Sequence, residues 1–145
     1  MTLINKSVTI NAPVSQVQAF MDNSEITPEW YEGMESLTPS PGYPTKVGST
    51  AVIEIKAGGM TMESNLEVTE SEPEKLRVFA MDGMIVGTNR WTIRPDGDVT
   101  HIDLTIDYEM KGGGIGKIMD KLFVERINDK NAEASLANLK NHIEA

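Results

Sequence analysis

The sequence has no cysteine. Disulfide frameworks and thiolate chemistry are therefore excluded, and a reducing compartment is the natural expectation. It has no run approaching the ~18 apolar residues that a membrane span needs. The opening MTLINKSVTI has no basic segment followed by a long apolar one, so no signal peptide is read and a cytoplasmic location is expected. Neither His-x-His nor Cys-x-x-Cys occurs. Internal repeats, low-complexity tracts and linkers are also absent, and residues 1–145 read as a single domain. A chain of that length buries roughly 68–70% of its unfolded surface, enough for a sizeable core.

Positive charge is scarce as well. Thirteen Lys and Arg stand against 22 Asp and Glu, a net charge of −9, and the basic residues are scattered. Nucleic acid and anionic membrane surfaces are not expected partners, because an acidic face releases no counterions from them. Methionine is abundant, with nine copies. Its flexible, polarizable side chain suits walls that adapt to different apolar shapes.

Residues 108–117 read YEMKGGGIGK. The four glycines at the entrance to a helical pattern raise the question of a phosphate loop. A Walker-type loop needs Gly, four residues, Gly, Lys and then Ser or Thr. Ending that pattern on Gly116 and Lys117 puts Lys111 at the first glycine and Ile118 at the hydroxyl position, so both fail. The dinucleotide fingerprint started at Gly112 puts Lys117 at its third glycine and fails too. A hinge between strand and helix is the simpler reading.

The chain begins with a strand around Ile4 and Ser7–Ile10, followed by a helix opened at Ala12-Pro13 with Val14, Val17, Phe20 and Met21 on its buried side. Residues 24–31 suggest a second short helix broken by Pro28. Four turn signals then occur at Gly58-Gly59, Pro73-Glu74, Asp82-Gly83 and Asp96-Gly97. They separate strand-like runs at about 49–57, 60–71, 75–81, 84–95 and 100–110, which predicts an antiparallel meander. Period-two alternation gives the sheet one apolar face, carrying Met60, Met62, Ser64, Leu66, Asn89, Trp91, Ile106, Tyr108 and Met110 among others. Residues 115–143 supply a helix to cover it, roughly 43 Å long. Its predicted buried stripe is Ile115, Ile118, Met119, Leu122 and Phe123, resumed by Leu136, Leu139 and Ile143. The polar gap from Asn128 to Glu133 interrupts that stripe without an evident reason.

These segments carry a family resemblance. SVTINAPVSQVQAF at 7–20, PEWYEGMESLT at 28–38, Gly48-Ser49, RWTIRPDGDVTHIDLTIDYEM at 90–110 and GGGIGKIMDKLF at 112–123 together resemble the START/Bet v 1-like superfamily, also called SRPBCC. Within it the chain is similar to bacterial polyketide cyclase/dehydrase-type proteins. The resemblance implies an α+β helix-grip fold. In it a curved seven-stranded antiparallel sheet wraps a long C-terminal helix, two short helices follow the first strand, and a cavity lies between sheet and helix. It also implies that the glycine-rich segment is the joint at which the long helix turns back.

The plainest candidates for chemistry give way to plainer roles. His101 lies on the wet face of its strand with Asp103, Asp107 and Glu109, which reads as a solvated surface rather than a metal site; no metal and no cofactor are expected. His142 falls in the last turn of the final helix, where a cation is favoured. Glu29 and Glu32 flank Trp30 and are the least bland carboxylates; Trp30 itself is read as an anchor for the second helix. The expected ligand-binding set is Met62, Ser64, Asn89, Trp91, Ile106, Tyr108, Met119, Leu122 and Arg126, a mostly apolar wall with a few polar groups. Arg126 is the expected partner for a ligand carboxylate or carbonyl. The first reading is a monomeric or homodimeric protein binding an apolar or amphipathic, lipid- or polyketide-like molecule. The alternatives are a cofactor-free cyclase/dehydratase using the same cavity and a chaperone-activator-like interaction module.

Overall fold

A computed structural model describes residues 2–57, 59–111 and 121–145. The elements are β1 (Thr2–Ile10), α1 (Val14–Met21), α2 (Thr27–Trp30), β2 (Met34–Pro39), β3 (Thr50–Ala57), β4 (Met60–Glu72), β5 (Leu76–Gly83), β6 (Ile85–Asp96), β7 (Val99–Met110) and α3 (Lys121–Glu144). The seven strands form one antiparallel sheet in the order β1-β7-β6-β5-β4-β3-β2. This is the helix-grip arrangement, and the meander from β3 to β7 follows the strand runs read from turn signals. The glycine-rich joint, Ile115, Ile118 and Met119 lie outside the described residues.

Alternation does what period two requires. On β4 Met62, Ser64, Leu66 and Val68 are buried between exposed neighbours. On β7 Thr100, Ile102, Leu104, Ile106 and Tyr108 are buried and alternate with half-buried neighbours. β2 is the strand that periodicity missed. Its sequence MESLTP is short, ends in proline and carries a bulge between Met34 and Ser36, all of which suit an edge strand paired on one side only.

The helix α3 is laid along β1, and polar contacts fasten the two at both ends. Thr2 Oγ1 donates to Glu125 Oε1 at 2.9 Å, and the Asn11 backbone N–H donates to Glu144 Oε2 at 2.8 Å. Between them Lys6 Nζ pairs with Asp129 at 3.0 Å and Glu133 at 3.7 Å, and Lys140 Nζ donates to the Thr9 carbonyl at 2.7 Å. From residue 2 to 11 a strand rises about 30 Å; from 125 to 144 a helix rises about 28 Å. The two elements run in the same direction and in step. The inward side of α3 carries Val124, Ala132, Ser135, Leu136, Leu139 and Ile143.

Leu122 and Phe123 do not continue that stripe. They are 52% and 48% exposed. Two residues on a helix are about 200° apart, so burying Val124 turns Leu122 to the far side, and Phe123 lies about 100° off. Arg126 is exposed for the same reason. Among the described residues no helix is long and apolar enough to cross a membrane.

Gly87 on β6 lies opposite Tyr108 on β7, with φ +148°. A Cβ there would collide with the Asp107 carbonyl oxygen and stand 2.8 Å from Tyr108 Cα. Both obstacles are backbone and cannot swing aside. Gly87→Ala is expected to lower the unfolding free energy by about 2–4 kcal/mol, measured as a fall in the urea midpoint at unchanged slope.

Candidate functional site

Between the sheet, α1, α2 and α3 the structure leaves a cavity of about 120 Å³. Its floor is the inward face of the sheet: Ile53 and Ile55 on β3, Leu66 on β4, Arg77, Phe79 and Met81 on β5, Ile85, Asn89 and Trp91 on β6, and Ile106 and Tyr108 on β7. Gln18 and Met21 of α1, Trp30 of α2, Tyr43 before β3, and Asn128 and Asn131 of α3 add to the wall. Glu32 is on the wall yet exposed, so the cavity reaches solvent there.

Six of the eight aromatic residues line this space: Trp30, Trp91, Tyr31, Tyr43, Tyr108 and Phe79. Trp30 and Trp91 stand edge to face, with centroids 6.0 Å apart and ring planes at 89°. Tyr43 and Phe79 are 5.8 Å apart. Such offset and T-shaped pairs suit the ring quadrupoles and hold the walls rigid.

The polar gap in α3 now has a physical account. Asn128 Nδ2 donates to the Tyr108 hydroxyl oxygen at 3.0 Å across the cavity wall. Gly33, with no side chain, leaves room for Asn131: a Cβ there would meet Asn131 Nδ2 at 2.8 Å. Asp129 and Glu133 face Lys6 instead. One turn on, Ser135 accepts the Glu32 backbone N–H at 2.8 Å and Asn138 donates to the Trp30 carbonyl at 3.1 Å. The helix thereby fixes the segment that carries Trp30, Tyr31 and Glu32.

The expected binding set divides. Asn89, Trp91, Ile106 and Tyr108 stand on the wall. Met62 and Ser64 face inward but are packed into the core at 1% exposure, away from the wall, and the Ser64 hydroxyl donates to the Ile85 carbonyl at 2.9 Å. Leu122 and Arg126 are on the solvent side of α3, as its phase dictates, and Met119 is outside the described residues. Trp30, read as an anchor, both packs in the core and lines the cavity. Glu29 is exposed. His101 stays on the outer face, at 2.9 Å from Thr9 Oγ1 and 3.4 Å from Asp96. Among the described residues no three His, Asp or Glu gather in a metal-binding group.

The arginine at the cavity is Arg77, not Arg126. Its side chain is 8% exposed, and its Nη1 meets Asp22 Oδ1 at 2.6 Å. Nε donates to Ser71 Oγ at 3.2 Å. Gln18 Nε2 donates to the same Asp22 oxygen at 2.8 Å, while Gln18 Oε1 accepts the Glu74 backbone N–H at 2.8 Å. The network ties α1 to β5 and neutralises the buried cation. In the sequence, LRVFAM carries apolar residues on both faces, so apolar alternation does not mark which side Arg77 takes. Its phase with Phe79 and Met81 was the only signal.

Residues 1–144 match the family described as polyketide cyclase / dehydrase and lipid transport. The chain belongs to that family. No curated protein sequence matches the chain. Solved structures share the fold at low identity. TTHA0849 from Thermus thermophilus aligns with a TM-score of 0.80 at 20% identity, covering 99% of this chain and 97% of the other. The ZhuI aromatase/cyclase from Streptomyces sp. R1128 gives 0.77 at 14%, covering 99% and 93%. A START superfamily protein from Mycobacterium smegmatis gives 0.75 at 16%, covering 98% and 97%. Family and fold together support a hydrophobic ligand-binding or polyketide cyclase/dehydrase role for this family member.

The wall generates two predictions. Removing one partner of a buried ion pair strands the other. Arg77→Met should therefore lower the unfolding free energy by about 3 kcal/mol in urea titrations, and adding Asp22→Leu should restore much of the loss. The second concerns the phenols. Burial pushes Tyr31 up to about 12 and raises Tyr43 and Tyr108 as well; nearby Arg77 partly offsets the rise at Tyr43, and the Asn128 hydrogen bond does so at Tyr108. In the unfolded chain these groups ionise near pH 10. Their contribution is present in full below that pH and is lost as pH climbs toward about 12, because the unfolded state releases its protons first. Tyrosinate absorbance of the folded protein should rise only above pH 10, at higher pH than in denaturant, while urea stability falls over the same interval.

Proposed function

We propose that this protein binds an apolar or amphipathic small molecule in the cavity between the sheet and α3 and does so as a carrier or receptor rather than as a catalyst. The observation that carries this reading is the gathering of six of the eight aromatic side chains on one internal wall. Aromatic walls with a few fixed polar groups offer a guest large buried area at low entropic cost. The inner ionisable groups of the wall do not favour proton transfer: Arg77 is held by Asp22, and the phenols are raised away from neutrality, while the Glu32 carboxylate sits at the exposed mouth and accepts from Asn138 at 3.3 Å.

Both tryptophans line the cavity, so the site has its own reporter. Titration with an uncharged naphthalene probe should change tryptophan emission saturably, with one probe per chain. Native mass spectrometry of freshly purified protein should find an adduct that denaturation releases. Absence of both responses would overturn the binding reading.

A cyclase/dehydrase reading is favoured by one detail. The Asn128 amide occupies the acceptor side of the Tyr108 hydroxyl, leaving the O–H to donate to a guest carbonyl and polarise it. In that case Tyr108→Phe should cost turnover of a polyketone substrate about 10²–10⁴-fold with little change in binding. A variant that turns over at the parent rate would remove Tyr108 from any such mechanism.

A further inference from the structure

Among the described residues, two buried side-chain polar atoms have no hydrogen-bond partner: Trp30 Nε1 and Asn89 Oδ1. Both residues stand on the wall of the same cavity. Buried orphans are few in native proteins and each calls for an explanation. Here one is a donor and the other an acceptor. Nearby, the Tyr108 hydroxyl oxygen accepts from Asn128, the Ser64 hydroxyl donates to the Ile85 carbonyl, and Arg77 is held by Asp22 and Ser71.

The alternatives within the protein are poor. The Asn89 amide nitrogen donates only to the thioether sulfur of Met81, at 3.2 Å, and sulfur is a weak acceptor. Turning the amide over would set oxygen against that sulfur and leave a donor unpaired instead. Trp91, edge to face with Trp30, offers its neighbour at most an N–H···π contact, which is weaker than a hydrogen bond.

We infer that Trp30 Nε1 and Asn89 Oδ1 form the polar subsite of this cavity, and that its ligand is an uncharged molecule carrying a hydrogen-bond acceptor such as a carbonyl for Trp30 and a hydroxyl for Asn89. The inference rests on the binding reading above and narrows it. Charge is excluded by the surroundings. The wall's buried cation is already neutralised at 2.6 Å by Asp22, so a buried ligand carboxylate would lack a counter-charge and lose its hydration. Free fatty acids are therefore poor guests despite the apolar lining.

Calorimetric titration with a naphthalene series tests this. The series comprises plain naphthalene, acetonaphthone, naphthol, an acetylnaphthol with its two substituents on opposite rings, and naphthoate. The acetylnaphthol should bind at least tenfold more tightly than naphthalene, and naphthoate at least tenfold more weakly than acetonaphthone. Trp30→Phe keeps a ring but removes the N–H, and should erase the gain from the acetyl group alone. Asn89→Leu should erase the gain from the hydroxyl alone. The ligand-free Asn89→Leu protein should melt as high as the parent or higher, because an unpaired buried acceptor has been removed; an asparagine kept for structure would give the opposite. Should Trp30→Phe fail to fold, the parent's probe series and Asn89→Leu still decide. Equal binding of naphthalene and acetylnaphthol overturns the polar subsite and leaves the binding reading intact. Binding of no probe overturns both.

Discussion

The structure depends on the fastening of α3 along β1. A helix that merely collapsed onto the sheet would sink its apolar stripe into the concave face and fill it. The contacts at Thr2–Glu125, Lys6–Asp129, Lys140–Thr9 and Asn11–Glu144 hold it instead over the β1 side of the sheet. None of these exposed or half-exposed contacts stabilises the fold by much taken singly. Their value is positional: strand and helix rise nearly equal distances between the first contact and the last, so the helix can neither slide nor swing without breaking several at once. The space toward β5 and β6 is what that placement leaves over.

Placement also explains the polar interruption of α3. A stripe of leucines from 128 to 133 would close the cavity with the helix's own side chains. Asn128 and Asn131 face it instead, with Asp129 and Glu133 serving the grip on Lys6. One short segment therefore does two jobs on two faces, and the segment has no apolar periodicity because neither job is core packing.

How far the sequence could be read follows from the same distinction. Strands β4 and β7 alternate so regularly that their inward residues, Ile106 and Tyr108 included, could be placed from period two alone, once turn residues set the boundaries. The same argument put Asn89 and Trp91 of β6 on the wall. β2 was legible only through the family resemblance, since an edge strand of six residues ending in proline carries little pattern. Arg77 was missed because β5 carries apolar residues on both faces and a bulge between Val68 and Glu70 on β4 shifts its partner's register. Leu122 and Arg126 were misplaced for a different reason. Periodicity gives the phase of a helix only relative to its own stripe, and among the described residues the inward side of α3 runs through Val124 and includes asparagines that a hydrophobicity pattern reads as surface. Ser64 marks the remaining limit. Inward orientation was correct, yet whether an inward hydroxyl faces a neighbour's carbonyl or open space is a matter of packing, which no pattern along one strand encodes.

A cavity of this kind works against the protein that keeps it. An apolar-lined space of 120 Å³ forgoes the contacts that a packed core would make there even where it opens to solvent, and each unpaired buried polar atom adds about 1–3 kcal/mol. Against a total stability of roughly 5–15 kcal/mol for a domain, these are large concessions. They are also concessions that simple substitutions would remove: a leucine at 89 or a larger aliphatic at 131 would repack the space. Where the protein needs an internal charge only for structure, it shows that it can satisfy one, since Arg77 reaches Asp22 and Ser71 and the Gln18 side chain completes the set. The cavity and its unpaired donor and acceptor therefore stand out beside a buried charge that is fully met. A guest that fills the volume and meets both atoms would return much of that free energy on binding, and by mass action it would stabilise the folded chain in proportion to its affinity.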